Sequence, residues 1–258
     1  MYAKKLTYSF FTIPFAVVSY NMYDWQRRRM SEKLRETEIR TNRVIEDPVD
    51  IQTFYNPTLP QKFPWIGMNV KELNNEFAWK PIELNGQFDH SNQVLVAKVK
   101  DGEEGFDVIT PFYCYSDENG RVQPVLINRG WISYDSKDRY DHWINSIGPI
   151  SIKGLVYKGD ESHKYSKENE LRDGKFHTLR PDEIAAFLTL PNRDLTSQFV
   201  IKQLEFNPIN KSAVPAVLNV NSLGHFPISA TTNGEYANLW KALTFFNIFT
   251  NMLVWVYF

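Results

Sequence analysis

Apolar residues gather at the two ends of the chain and alternate with polar ones through its middle. Residues 6–22 read LTYSFFTIPFAVVSYNM without one charge, and residues 239–258 read LWKALTFFNIFTNMLVWVYF with only Lys241 charged. A helix rises about 1.5 Å per residue, so either stretch would cover roughly 25–30 Å, the hydrocarbon thickness of a bilayer. Aromatic residues stand near the ends of both stretches (Tyr8, Tyr20, Tyr23 and Trp25; Trp240, Trp255 and Tyr257), where amphipathic rings favour the headgroup level. Pro14 and the scattered Ser, Thr and Asn are tolerable in a span if a neighbouring helix satisfies their polar groups, so each span is expected to pack on protein. A secretory signal would explain Lys4 and Lys5 ahead of an apolar run, but no small-x-small cleavage site follows. A buried core helix is the remaining alternative, and the second apolar terminus argues against it.

Between the ends the period changes. Residues 23–43 continue the first helix with opposite charges three or four apart, Arg28 to Glu32, Glu32 to Arg35 and Glu36 to Arg40. Asp47-Pro48 breaks it, and a Pro-rich strap with Phe63 and Trp65 leads to residue 81. Residues 81–88, 93–100, 106–115, 122–133 and 149–158 are short apolar runs separated by turn signals at Asp101-Gly102 and at residues 117–120. Residues 180–190 read as a helix with Pro181 in its first turn, and residues 199–206 and 216–220 as later strands. The expected fold class is an α+β membrane protein. Transmembrane helices at 6–22 and 239–258 flank a soluble domain at 44–238, a mostly antiparallel barrel or sandwich with one or two covering helices.

Composition narrows the chemistry. A formal net charge of −1 gives no general pull toward nucleic acid or anionic lipid, and the single cysteine, Cys114, excludes an internal disulfide. The five histidines (His90, His142, His163, His177 and His225) lack metal-ligand spacing, and no nucleophile elbow, phosphate loop or dinucleotide fingerprint is present. Neither an enzyme, nor a metal, nor a cofactor is expected. The informative segment is LINRGWI at residues 126–132: Gly130 permits a bulge, after which Trp131 and Ile132 return to the core. Arg129 would then bridge a carboxylate such as Asp107 or bind a partner. Pro111 marks an edge or a kink in its strand.

Taken in order, these segments resemble the surfeit locus protein 1 family, assembly factors of cytochrome c oxidase. The resemblance rests on Trp25-Gln26-Arg27-Arg28 after the first span, Gly86-Gln87-Phe88-Asp89, Val108-Ile109-Thr110-Pro111-Phe112, residues 125–132, and Tyr236 and Trp240 before the second span. It implies a multi-pass protein of the mitochondrial inner membrane, termini in the matrix and domain in the intermembrane space. The basic run Arg27, Arg28, Arg29, Lys33 and Arg35 argues the opposite orientation by charge alone. The implied role is contact with oxidase subunits, with Trp25, Gln26, Arg129, Trp131, Tyr236 and Trp240 as candidate contact residues. Haem handling and membership of another inner-membrane complex are the alternatives. The family's haem-ligand histidine falls at Asn233 here, and an amide is a poor ligand for iron.

Overall fold

A computed structural model of the chain describes residues 2–50, 76–114, 123–137, 148–160, 166–191, 198–204, 215–216, 218 and 229–257. Most of the strap, the turn at 117–120, and His142, His163 and His225 lie outside the described residues. In chain order the elements are helix α1 (Tyr2–Val44), strands β1 (Val49–Asp50), β2 (Pro81–Phe88), β3 (Val94–Lys100), β4 (Glu103–Cys114), β5 (Gln123–Ser133) and β6 (Ile150–Tyr157), helix α2 (Pro181–Phe187), strand β7 (Val200–Gln203) and helix α3 (Ala230–Tyr257). They divide into two compact units, one holding Met1–Thr41 with Leu223–Phe258, the other Asn42–Ser222.

The second unit is built on a closed ring of five strands. β2 pairs antiparallel with β6, β6 with β7, β5 with β4, and β4 returns to β2 through Gly86↔Cys114, Gln87↔Tyr113 and Phe88↔Phe112. Within the ring the exception to the expected antiparallel pattern is β5–β7, which is parallel, as is the short pairing of β1 with β2 outside it. Parallel neighbours need a long crossover, and β6 and α2 intervene between β5 and β7 in the chain. β3 lies outside the ring as a hairpin with β4, turned at Asp101 and Gly102, both with positive φ (52° and 87°). That geometry matches the right-handed twist of the flanking strands.

β4 is the longest strand and changes partners along its length. Its first part pairs with β3 as far as Val94↔Ile109, and its last part with β2 from Phe88↔Phe112. Pro111 stands at the handover, where its missing N–H leaves neither ladder short of a donor. The proline therefore marks a corner of the ring rather than a sheet edge.

Alternation sorts most strand residues into two clusters, with a third, smaller one at Val108 of β4 and Ile132 of β5. Ile82 and Leu84 of β2, Phe112 and Cys114 of β4, Val125 and Ile127 of β5, Ile152 of β6 and Ile201 of β7 meet inside the ring. Their neighbours Ile109, Leu126 and Val200 face outward and pack with Val94 and Val96 of β3 and with Ile184 and Ala185 of α2. α2 begins at Pro181, with Asp182 and Glu183 in its first turn, the arrangement that favours a helix start. Of the run at 199–206, the described residues form the short β7, residues 205 and 206 lying outside them, and Ala216 and Leu218 form isolated bridges to Trp131 and Leu204.

Candidate functional site

The helical unit is a pair formed by α1 and α3. The first helix runs without a break from its apolar start through its charged part, past Pro14. Its less exposed residues recur at intervals of three and four, among them Ser9, Thr12, Ala16, Ser19, Gln26, Met30 and Lys33. That 3.5-residue spacing is the seam of a left-handed helix pair. On α3 the matching buried positions are Asn233, Ala237 and Thr244.

The seam is polar. Ser9 Oγ donates to Asn251 Oδ1 at 3.2 Å and accepts from Trp255 Nε1 at 2.8 Å, and Asn251 Nδ2 donates to Thr12 Oγ1. Lys5 Nζ donates to the Trp255 carbonyl at 3.1 Å. The outward faces are apolar: Phe10 is 73% exposed and Phe11, Phe15, Phe245 and Phe249 are also exposed, while Ser19 is 0% exposed. A water-soluble helix pair buries its apolar stripe; this one buries hydroxyls and amides and presents phenylalanine. Among the described residues, α3 is the one helix long and apolar enough to cross a membrane by length and composition. The expected two-span architecture is thus matched by one helix on that measure, since Ser9, Thr12, Ser19 and Asn21 dilute the apolar stretch of α1.

The candidate contact residues on these helices divide by face. Trp25 and Tyr236 are half exposed, and Trp240 is partly buried. Gln26 is buried, its Oε1 accepting from Asn233 Nδ2 at 2.6 Å, while Asn233 Oδ1 accepts from Lys33 Nζ at 2.6 Å. An amide already bonded at both its oxygen and its nitrogen is not set up to ligate iron, so this position does not fit a haem. In the charged part of α1, Arg28 pairs with Asp24 and Arg29 with Glu32, rather than Arg28 or Arg35 with Glu32. The Arg40–Glu36 pair is as expected.

The second candidate region is the β5 bulge. Asp107 lies opposite Trp131 and Ile109 opposite Asn128, so Arg129 and Gly130 together face Val108. Gly130 has φ 130°, costly for any residue with a Cβ, and its N–H donates to Asn128 Oδ1 at 2.9 Å. Arg129 is buried; its guanidinium lies over the Phe88 ring, 5.3 Å from the centroid, and Nη1 is 3.3 Å from His90 Nδ1. Burial lowers its pKa to about 10, leaving it a cation at neutral pH. The expected bridge to Asp107 is not among these contacts, because the extra residue of the bulge turns Arg129 toward Phe88 and His90. Trp131 is partly exposed, lies against Gly105 and donates from Nε1 to the Lys98 carbonyl at 3.2 Å; Ile132 is buried, as expected.

No short motif announces a third feature, a charged cluster assembled from five segments. Asp160 accepts from the Tyr157 hydroxyl at 2.6 Å and the Leu179 N–H at 3.2 Å, and stands 3.6 Å from Lys98. Lys202 lies over the Tyr157 ring, 3.6 Å from its centroid, and over Trp79. Burial acts to raise the Asp160 pKa, but Lys98, Tyr157, Leu179 and Lys202 outweigh it and hold the carboxyl below the usual range. At Asp107 burial wins over Lys202, Lys98 and Asn128, and its pKa is raised.

The model of the SURF1 family matches residues 15–244. The chain belongs to the SURF1 family. It is 33% identical over 104 residues to Surfeit locus protein 1-like of Arabidopsis thaliana, an alignment covering 38% of this chain and 25% of that protein. It is 24% identical over 178 residues to Surfeit locus protein 1 of Xenopus tropicalis (62% and 52%) and 24% identical over 170 residues to that of Gallus gallus (59% and 48%). The chain thus aligns with about half, or less, of these relatives' lengths. The SURF1 match takes in the Trp25-Gln26 segment, the whole strand ring, and α3 as far as Thr244.

Proposed function

We propose that this SURF1-family chain is a non-enzymatic assembly factor or bound accessory subunit of cytochrome c oxidase, respiratory complex IV. It acts by protein–protein contact in the mitochondrial inner membrane. Residues 6–22 of α1 and α3 from residue 239 onward lie in the bilayer, both termini face the matrix, and the strand ring stands in the intermembrane space. The observation that carries the membrane placement is the inverted polarity of the helix pair, with Ser9, Ser19 and Thr244 inside and Phe10, Phe11, Phe245 and Phe249 outside. In water that arrangement would expose a large apolar surface, whereas in lipid the buried polar groups act as the adhesive between helices. Family membership supports the oxidase as partner.

Trp25, Tyr236, Trp240 and Trp131 are the proposed contact residues. Gln26 and Arg129 act from inside, by fixing the helix pair and the bulge that present them. Haem delivery is disfavoured by Asn233, whose amide serves the helix pair. Two measurements test the proposal. Alkaline carbonate should leave the chain in the membrane pellet; release into the supernatant would refute the two spans. Truncating Tyr236 and Trp240 to alanine should lower assembled oxidase on a native gel while the chain itself persists. Unchanged oxidase would refute the contact role.

A further inference from the structure

Arg27 and Lys241 stand on opposite helices of the pair but on the same side of it. Arg27 lies two helical turns beyond Tyr20, and Lys241 two turns before Ile248. Tyr20 and Ile248 both line one apolar groove of about 430 Å³ between α1 and α3. The helices run antiparallel, since Ser9 bonds Asn251 while Gln26 bonds Asn233. Helical side chains lean toward the N-terminus of their own helix. Arg27 therefore reaches back toward the bilayer, where its Nη1 donates to the Tyr23 hydroxyl at 3.2 Å, and Lys241 leans the other way, out of the span. The two cations converge at the headgroup level, over the end of the groove. From this juxtaposition, resting on the membrane reading above, we infer that the helix pair binds one anionic phospholipid, its phosphate between Arg27 and Lys241 and an acyl chain in the groove.

Charge selects this occupant. Arg28 and Arg29 are already paired with Asp24 and Glu32, whereas the Arg27 hydrogen bond goes to a neutral phenol. Lys241 is exposed and forms no ion pair among the described residues. A phosphodiester supplies an anion to both and accepts their hydrogen bonds. A transmembrane helix would fill the groove but bring no fixed anion to its charged end. Free phosphate would meet the cations and leave the groove empty. A zwitterionic lipid carries a cation of its own, which the two side chains repel. An anionic phospholipid alone matches the apolar wall and the charge above it.

The test uses the full chain in detergent micelles with dioleoylphosphatidylglycerol or dioleoylphosphatidylcholine added, and counts the lipids it retains by native mass spectrometry. Retention of one phosphatidylglycerol is expected, with a preference of about twentyfold over phosphatidylcholine. Arg27→Gln and Lys241→Gln should each lower that preference about fivefold. Arg29→Gln makes the same change in net charge on the opposite side of α1 and should leave the preference in place. Ala16→Leu, which narrows the groove, should lower retention of both lipids alike. Equal retention of the two lipids, an equal loss from Arg29→Gln, unchanged retention in Ala16→Leu, or displacement of the lipid by millimolar inorganic phosphate would overturn the inference. The carbonate pellet scores the membrane placement separately. A chain that stays in the pellet without selecting phosphatidylglycerol refutes this site alone.

Discussion

Asn233 and Gln26 are joined across the helix pair by a 2.6 Å hydrogen bond between buried carboxamides, and Lys33 closes on the other face of the same amide. Truncating Asn233 would leave the Gln26 oxygen buried without this donor. Asn233→Ala is therefore expected to destabilise the helix pair by about 1–3 kcal/mol. Denaturant-induced separation of the helices in detergent, followed with a fluorophore pair on α1 and α3, measures it. An unchanged midpoint would show that the lock contributes nothing.

Gly86 closes the strand ring. A Cβ built there would stand 2.2 Å from the Tyr113 carbonyl oxygen and 2.7 Å from the Phe112 ring, so β2 and β4 could not pair as they do. Gly86→Ala is expected to cost several kcal/mol, at the upper end of point substitutions, because backbone must shift. A fall in the thermal midpoint of several degrees or more, read by near-ultraviolet circular dichroism of the full chain, is the expected result.

The same glycine shows how far the sequence could be read. The run at Pro81–Phe88 has the alternation and the bounding signals of a strand, and the Asp101-Gly102 turn specifies its hairpin through local backbone preferences. Closure of β2 onto β4 depends on two backbones meeting across a gap that only Gly86 leaves open, and a single sequence does not say which distant strand fills it. The parallel β5–β7 pair was hidden for the same reason. Gly130 did advertise its bulge, but the direction in which the bulge turns Arg129 follows from register, so Phe88 and His90 were not foreseen.

In the helices, composition revealed the apolar ends but not their faces. Ser9, Thr12, Ser19 and Gln26 keep seam spacing, a signal present in the sequence once polar rather than apolar residues are tracked. Which of Trp25 and Gln26 points outward depends on where the second helix lies. The cluster around Asp160 had no signal, since its members come from distant segments.

Cys114 sits inside the ring and is buried, and that burial pushes its thiol pKa up to about 12. At pH 8 almost none of it is thiolate, the form that reacts. Iodoacetamide is expected to leave the native chain unmodified for hours and to label it promptly in denaturant. Rapid labelling of the folded protein would mean that the ring opens at β4.

Asp107 and Asp160 sit in one cluster but should respond oppositely to neutralisation. Asp160 has its folded-state pKa held below the ordinary carboxylate value. The stabilisation it provides is therefore present above that ordinary value, about 3.8, and lost as pH falls through the lower folded one. Asp160→Asn removes it at pH 7, and the Tyr157 and Leu179 donors lose a charged acceptor, so a loss of roughly 1–3 kcal/mol is expected. Asp107 has its folded pKa raised above 3.8, so its ionised form is the less favourable one in the fold. The penalty is absent in acid, grows as pH rises through the ordinary carboxylate value, and reaches its full size above the folded pKa. Asp107→Asn should accordingly leave stability at pH 7 unchanged or raise it, provided that the amide keeps its hydrogen bond with Asn128. Thermal midpoints of the two variants and the parent, taken at pH 7 and again well below the ordinary carboxylate value of about 3.8, decide the matter. The Asp160 variant should fall below the parent at pH 7 and approach it in acid, while the Asp107 variant should match or exceed the parent at pH 7. If both variants fell equally at pH 7, burial would not dominate at Asp107, and the cluster would be an ordinary pair of ion bridges.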